Sequence, residues 1–138
     1  MSAIKKVADK MSDSEKITIN LGYVDLGRID LLVKEGFYSN RSDLIRTAIR
    51  NQLDSHVDVV SKSIERYTME LGLRDYSRAD LEALRDAGEV LHVKVVGLTR
   101  IASDVTAELA LQTIASITVL GALQASADIK QALADRIK

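Results

Sequence analysis

The chain has 138 residues, of which 46% are hydrophobic and 28% are charged, and its formal net charge is −1. This length suits one domain or two small units, and the composition argues against wholesale disorder. The absence of cysteine excludes disulfides and thiolate metal sites. No apolar run approaches the ~20 residues of a membrane helix, and no signal-peptide pattern opens the chain. We therefore expect a cytoplasmic protein without membrane contact.

Charge is spread evenly along the chain. Residues 1–56 contain nine Lys/Arg and eight Asp/Glu, and residues 57–138 contain ten and twelve. Such a balance gives no general positive field that would attract nucleic acid non-specifically. Any contact with nucleic acid must therefore come from a local patch.

The chain begins with a polar segment, which predicts a flexible N-terminal arm over residues 1–14. The first predicted element after it is a short strand over Lys16–Leu21, in which apolar and polar residues alternate. Alternation places the apolar side chains on one face and the polar side chains on the other. The polar set is Lys16, Thr18 and Asn20. Two such strands pair into a ribbon that fits the DNA major groove, where Lys and Asn read base edges. An ordinary half-buried edge strand would show the same alternation.

Two amphipathic helices are predicted after the strand. The first has Asp25 as its expected N-cap and ends at Gly36, which suits a left-handed C-cap, with Phe37 as an apolar clasp over the helix end. The second begins at Asn40, with Asp43 three residues on as in a capping box. One strand and two helices cannot close a core, so this segment predicts a dimer.

The start of the second helix is a predicted phosphate site. Its first amides and the helix dipole favour an anion, and Arg41 and Ser42 add donors. Arg46 and Arg50 lie four residues apart on the same helix. They extend the phosphate footprint, pair with acids across the dimer, or are ordinary surface arginines, and the last interpretation is favoured.

The segment Ile17–Arg50, through the motifs ITINL and GFYSNRSDLIR, resembles the ribbon-helix-helix DNA-binding domains of the CopG, Arc and methionine repressor group. The resemblance implies an intertwined homodimer that binds double-stranded DNA. It implies base reading by Lys16, Thr18 and Asn20, and phosphate contacts by Asn40, Arg41 and Ser42. Many members have Pro after the strand, where this chain has Gly22-Tyr23-Val24, so we expect a longer or bent connection.

The second half of the chain is self-similar. Val93–Gly97 and Ile117–Gly121 lie 24 residues apart, and a fainter copy is Met69–Gly72. Each unit predicts a short strand ending at Gly, a loop and a capped helical turn, so that successive strands run parallel. Ser77 with Asp80 predicts a capping box. Ser103 or Asp104 is expected to cap the next helix.

The predicted fold class is therefore α+β. A ribbon-helix-helix domain over residues 15–56 forms an intertwined dimer, and residues 57–67 form a connecting helix. Residues 68–138 form a short solenoid-like α/β repeat with parallel strands, for oligomerisation or for binding an effector. The apolar strand Ile117–Leu120 predicts self-association of this half into a higher homo-oligomer. A compact α/β domain with a coincidental repeat is the alternative.

No catalytic constellation is present, so we expect no enzyme and no cofactor. The two histidines, His56 and His92, are poor evidence for a metal site in a chain without cysteine, so we expect no metal site. The leading hypothesis is a sequence-specific transcriptional repressor that binds an operator as a dimer or a dimer of dimers. One alternative is an antitoxin that represses its own operon and has a toxin partner. Another is a scaffold protein whose repeat half polymerises.

Overall fold

The computed structural model describes residues 14–138, so the predicted arm lies, apart from Ser14, outside the described residues. The described chain forms two compact units, residues 14–62 and residues 63–138. Helices are combined with a three-stranded parallel sheet, which confirms the α+β class. Within the described range, no helix is long and apolar enough to cross a membrane.

The elements follow one another with short connections. In chain order they are α1 (Tyr23–Lys34), α2 (Arg41–Asp54), α3 (Val57–Tyr67), β1 (Glu70–Tyr76), α4 (Arg78–Asp86), β2 (Leu91–Ile101), α5 (Ala107–Thr113), β3 (Ile114–Gln124), α6 (Ala127–Ala132) and a short 3-10 helix (Ala134–Arg136).

Helix α1 begins earlier than the sequence predicted and ends as predicted. Its N-cap is Gly22, and Asp25 lies inside the first turn, so the prediction that Asp25 is the cap was wrong. A carboxylate in the first turn also complements the helix dipole, so an acidic residue at the start of a helix is expected both at the N-cap and within the first turn. At the other end, Gly36 has φ +87°, and the Phe37 amide donates to the Leu32 carbonyl at 3.0 Å. These are the features of a Schellman C-cap.

The ribbon strand is absent from the single chain. Residues 14–22 have neither helix nor strand, so the strand predicted over Lys16–Leu21 is not formed here. A strand exists only by hydrogen bonding to another strand. In a ribbon that second strand belongs to another copy, which a single chain does not contain.

The unit 14–62 has no buried residue in the single chain. Many of its large apolar side chains are exposed instead, and Leu26, Ile29, Val33, Leu44 and Ile45 are half-buried. The exposed ones include Ile17, Ile19, Leu21, Tyr23, Val24, Leu31, Leu32, Phe37, Ile49 and Leu53. The exposure of Phe37 shows that it does not cover the end of α1 as predicted.

The unit 63–138 is built on a parallel sheet with strand order β1-β2-β3. The register places Val93 beside Ile117 and Gly97 beside Gly121, so residues 24 apart in sequence are neighbours in the sheet. The predicted parallel course of the strands is confirmed. A solenoid-like stack of repeats stays a prediction.

A single core lies between one face of this sheet and helices α4, α5 and α6. Alternate residues of β2 turn inward, as a strand requires. They pack with the inner residues of the other elements. The buried cluster is Tyr76, Leu81, Val93, Val95, Ile101, Val105, Leu109, Ala110, Ile114, Ile117, Ile129 and Leu133.

Local capping fixes where the helices of this unit begin. Ser77 accepts from the Asp80 amide at 3.1 Å, and Asp80 accepts from the Ser77 amide at 3.0 Å, which confirms the predicted capping box. Helix α5 is capped by Thr106, whose Oγ1 accepts from the Leu109 amide at 3.1 Å. The prediction of Ser103 or Asp104 was wrong, because β2 continues to Ile101 and the helix therefore begins later.

A row of three glycines crosses the sheet. Gly72, Gly97 and Gly121 are in register, with φ of +129°, +139° and +122°. The prediction that each strand ends at its glycine was wrong, since all three strands continue through it. Every L residue is strained at such angles. In addition, a Cβ on Gly97 would lie 2.1 Å from the Gly72 carbonyl oxygen.

The outer edge of β3 is partly covered by the C-terminal residues. Ile137 forms a parallel bridge to Ile117, and the Lys138 amide donates to the Ile117 carbonyl at 2.8 Å. The strand Ile117–Leu120, predicted to pair with another protomer along its edge, is thus already paired at its first residue.

The glycine row gives a matched pair of substitutions. We expect Gly97→Ala to lower the free energy of unfolding of the unit 63–138 by more than about 3 kcal/mol, because it combines backbone strain with a steric clash. Gly72→Ala has the same kind of φ but nothing within 4 Å of its Cβ, so it should cost only about 1–2 kcal/mol. Urea denaturation of both variants measures the difference. Equal losses would mean that strain alone, and not close strand approach, requires glycine here.

Candidate nucleic-acid interface

The start of α2 carries the predicted phosphate-contacting residues. Asn40 is the N-cap, and its Oδ1 accepts from the Asp43 amide at 2.8 Å. Asp43 Oδ2 accepts from the Ser39 amide at 2.9 Å. A helix leaves its first amides without intrahelical acceptors, and those of Arg41 and Ser42 belong to this set. The cap therefore holds the turn in the conformation that presents these amides together.

Arg41 is held by an ion pair between the two helices of the unit. Its Nε and Nη2 donate to the two carboxylate oxygens of Asp30, each at 2.8 Å. The hydrogen bonds from Arg41 lower the pKa of Asp30, and the same bonds raise the pKa of Arg41. The pair is bidentate, which fixes the orientation of the guanidinium. The Asp30 carboxylate also offsets the positive charge of Arg41, the residue that was expected from the sequence to contact a phosphate.

A hollow of about 390 Å³ lies beside this turn. It is lined by Ser39, Asn40, Asp43, Arg46, Thr47 and Arg50. Positions 43, 46, 47 and 50 share one face of a helix, so the two arginines follow the cap along the helix surface. From the sequence, Arg46 and Arg50 were expected to be ordinary surface residues. Their spacing from Asn40 and Asp43 brings both of them to the hollow beside the cap.

The predicted base-reading residues Lys16, Thr18 and Asn20 all have exposed side chains. They lie in the segment 14–22, which has no ladder of its own. Their assignment to one face rests on alternation in the sequence, and within residues 14–138 no hydrogen-bond partner common to the three is found.

A larger hollow, of about 790 Å³, lies at the carboxyl ends of the three strands and includes Arg100, Gln124 and Lys130. Arg100 Nε donates to Gln124 Oε1 at 3.0 Å, and its Nη1 is 4.0 Å from an Asp75 carboxylate oxygen. The hydroxyls of Ser77 and Ser126 at its rim cap helices. The side chains of Arg100, Gln124, Ser77 and Ser126 are thus engaged within the chain.

The two histidines lie in different parts of the chain and have different neighbours. His92 Nδ1 is 2.8 Å from Ser116 Oγ, across neighbouring strands. His56 Nε2 is 3.2 Å from Gln52 Nε2, one helical turn earlier. Among residues 14–138, no three His, Cys, Asp or Glu side chains cluster in a way that could hold a metal ion.

Comparison with known proteins identifies the family. A family model described as the ribbon-helix-helix transcriptional regulator family matches residues 12–130. The chain is also 32% identical over 44 residues to the protein named Transcriptional regulator CdrS from Halobacterium salinarum, a match that covers 32% of this chain and 80% of that protein. No solved structure shows a significant match. The chain belongs to the ribbon-helix-helix transcriptional regulator family, and its class is that of a DNA-binding regulator.

Because of the Asp30–Arg41 pair, we expect the stability of the fold to depend on pH in the acid range. A carboxyl whose pKa is lowered on folding stabilises the fold above its unfolded pKa of about 3.9, and this stabilisation is lost as the pH falls through the lower folded value. We expect the difference in melting temperature between the wild type and Asp30→Asn to be largest near neutral pH and to shrink below about pH 4. Melting curves between pH 7 and pH 3 measure it. Glu15→Gln, which removes the same charge from an exposed position, is the control, and an equal effect there would contradict the role of the pair.

Proposed function

We propose that the chain is a transcriptional repressor that binds its operator as a homodimer, with a two-stranded ribbon in the major groove. The ribbon pairs Lys16–Leu21 of one copy with the same segment of the second copy. Lys16, Thr18 and Asn20 then face the bases, and Ile17, Ile19 and Leu21 face the helices. Occupation of an operator in this way excludes the transcription machinery from the same DNA.

The observation that carries this proposal is the absence of any buried residue in the unit 14–62. Helices of this length are marginal in water without tertiary packing. Exposed apolar side chains line the segment 17–53, and each large one that becomes buried contributes about 1.5–3 kcal/mol. A second copy supplies a strand with which the ribbon segment pairs and an apolar surface against which the exposed side chains pack.

We propose that the start of α2 holds the DNA backbone. Asn40 shapes the turn, the amides of Arg41 and Ser42 bind a phosphate, and Arg46 and Arg50 extend the contact along the helix. Arg41 has a mainly positioning role here, because its charge is offset by Asp30. The unit contains seven Lys/Arg and seven Asp/Glu, so affinity depends on this local arrangement and not on net charge.

The experiment that tests the function is fluorescence anisotropy of the full-length protein with its own upstream DNA, against a shuffled duplex, across a salt series. Preference for the native duplex that persists at physiological salt supports a specific autoregulator. Equal and salt-sensitive binding to both duplexes contradicts specific recognition of that DNA.

Asn20→Ala tests base reading. We expect it to weaken binding to the operator by about 1–3 kcal/mol while binding to the shuffled duplex is unchanged, because a lost base contact affects only the sequence that makes it. The measurement is the same anisotropy titration. Thr18→Ser, which keeps the hydroxyl, is the conservative control. Equal losses on both duplexes would contradict the assignment of Asn20 to a base.

Arg46→Ala tests the phosphate contact. We expect a similar loss of affinity for operator and shuffled DNA, and a slope of log K against log salt that is shallower by about 0.9, because one fewer phosphate is neutralised. Arg85→Ala removes the same charge from α4, in the other unit, and should leave the slope unchanged. An unaltered slope for Arg46→Ala would exclude this residue from the DNA interface.

A further inference from the structure

The sheet of the unit 63–138 has an apolar face on the side away from its helices. The strand register aligns two rows of three residues across the sheet, and in β2 these residues alternate with the inward-facing ones. We call this set the apolar sheet face. Its members are Leu71, Val96, Leu120, Leu73, Leu98 and Ala122.

Much of this face is exposed in the single chain. Leu71 is 71% exposed, Leu120 is 61% exposed and Leu73 is 46% exposed, whereas Leu98, on the central strand, is buried. Parallel sheets occur almost only with both faces covered, since their strands are apolar on both sides. Here α4, α5 and α6 cover one face, and the apolar sheet face is therefore the side that still requires a covering layer.

The size of the face decides what can cover it. Three strands at a spacing of about 4.8 Å and two rows about 7 Å apart give a patch roughly 14 Å across, on the order of 200 Å². A partner that diffuses freely needs about 800 Å² per side for a stable complex. The patch is too small for that, so its occupant must be held nearby by another contact.

We propose that the apolar sheet face packs against the same face of the second copy in the ribbon dimer. This inference rests on the proposed function, because the ribbon is the contact that holds the two copies together. Linkage through the ribbon makes the encounter of the two faces intramolecular, with an effective concentration that reaches about millimolar in favourable geometry, at which a small apolar patch is sufficient. The six residues are uncharged, so the contact between the two copies buries no charged side chain of the patch itself; Lys94 and the Asp75–Arg100 pair lie in the rows that flank it.

The absence of cysteine from the chain makes a direct test possible. Val96→Cys places one thiol at the centre of the apolar sheet face of the full-length protein, and a short bismaleimide then joins two copies only if the faces meet. The matched control is Leu111→Cys on α5, a leucine that is 41% exposed on the helical side of the sheet. Ala122→Cys is a second variant on the face, and circular dichroism verifies that each variant folds.

We expect cross-linked dimers to form at least about tenfold faster with Val96→Cys than with Leu111→Cys at micromolar protein. The advantage should disappear when Ile19→Asp is added, because that substitution disrupts the ribbon and removes the tether. Equal rates for the face variants and the control, in proteins that still dimerise and bind operator DNA, would overturn the packing of the faces and leave the repressor function intact.

Two further outcomes are decisive. If the advantage of Val96→Cys persists with Ile19→Asp in a protein that light scattering finds monomeric before cross-linking, the dependence on the ribbon tether is wrong. If Ile19→Asp alone remains dimeric and binds operator DNA normally, the proposed ribbon fails, and this result is independent of any cross-linking rate.

Discussion

The constraint on which the N-terminal unit depends is the burial of its apolar side chains. Ordering each residue of a chain costs about 1–2 kcal/mol of backbone entropy, and in globular proteins this cost is offset mainly by apolar burial. The unit 14–62 has no buried residue within one chain. Its turns and caps are nevertheless well formed, with a Schellman end at Gly36 and a capped start at Asn40. Local capping is thus well formed in a unit that leaves many large apolar side chains exposed.

The C-terminal unit buries its apolar side chains within one chain, but only on one side of its sheet. Helices α4, α5 and α6 bury Val93, Val95 and Ile117 almost completely. The row of glycines lets all three strands take a positive φ at the same register, and a Cβ at Gly97 or Gly121 would meet the carbonyl of the neighbouring strand. Two rows of apolar residues lie on the outer face. The unit therefore has a buried core on one face of its sheet and apolar residues on the other.

Under the proposed function a nearly neutral unit recognises DNA, and its charge must then be organised locally. Asp30 holds the Arg41 guanidinium between α1 and α2, while Arg46 and Arg50 line the hollow beside the Asn40 cap. One arginine thus joins the helices, and two others are available at the surface that the helix dipole makes favourable for an anion. This division of roles follows from the geometry of the turn and not from the number of basic residues.

The sequence by itself determined the features that depend on residues within a few positions of one another. The caps at Asn40 and Ser77, the end of α1 at Gly36 and the family motif around the turn all have this origin, since a cap is a contact between neighbours in the chain. Only the tertiary structure decided the pairing of Arg41 with Asp30, the continuation of the strands through their glycines and the start of α5 at Thr106. These depend on what an adjacent strand or helix allows, and alternation or spacing within one segment carries no information about that neighbour.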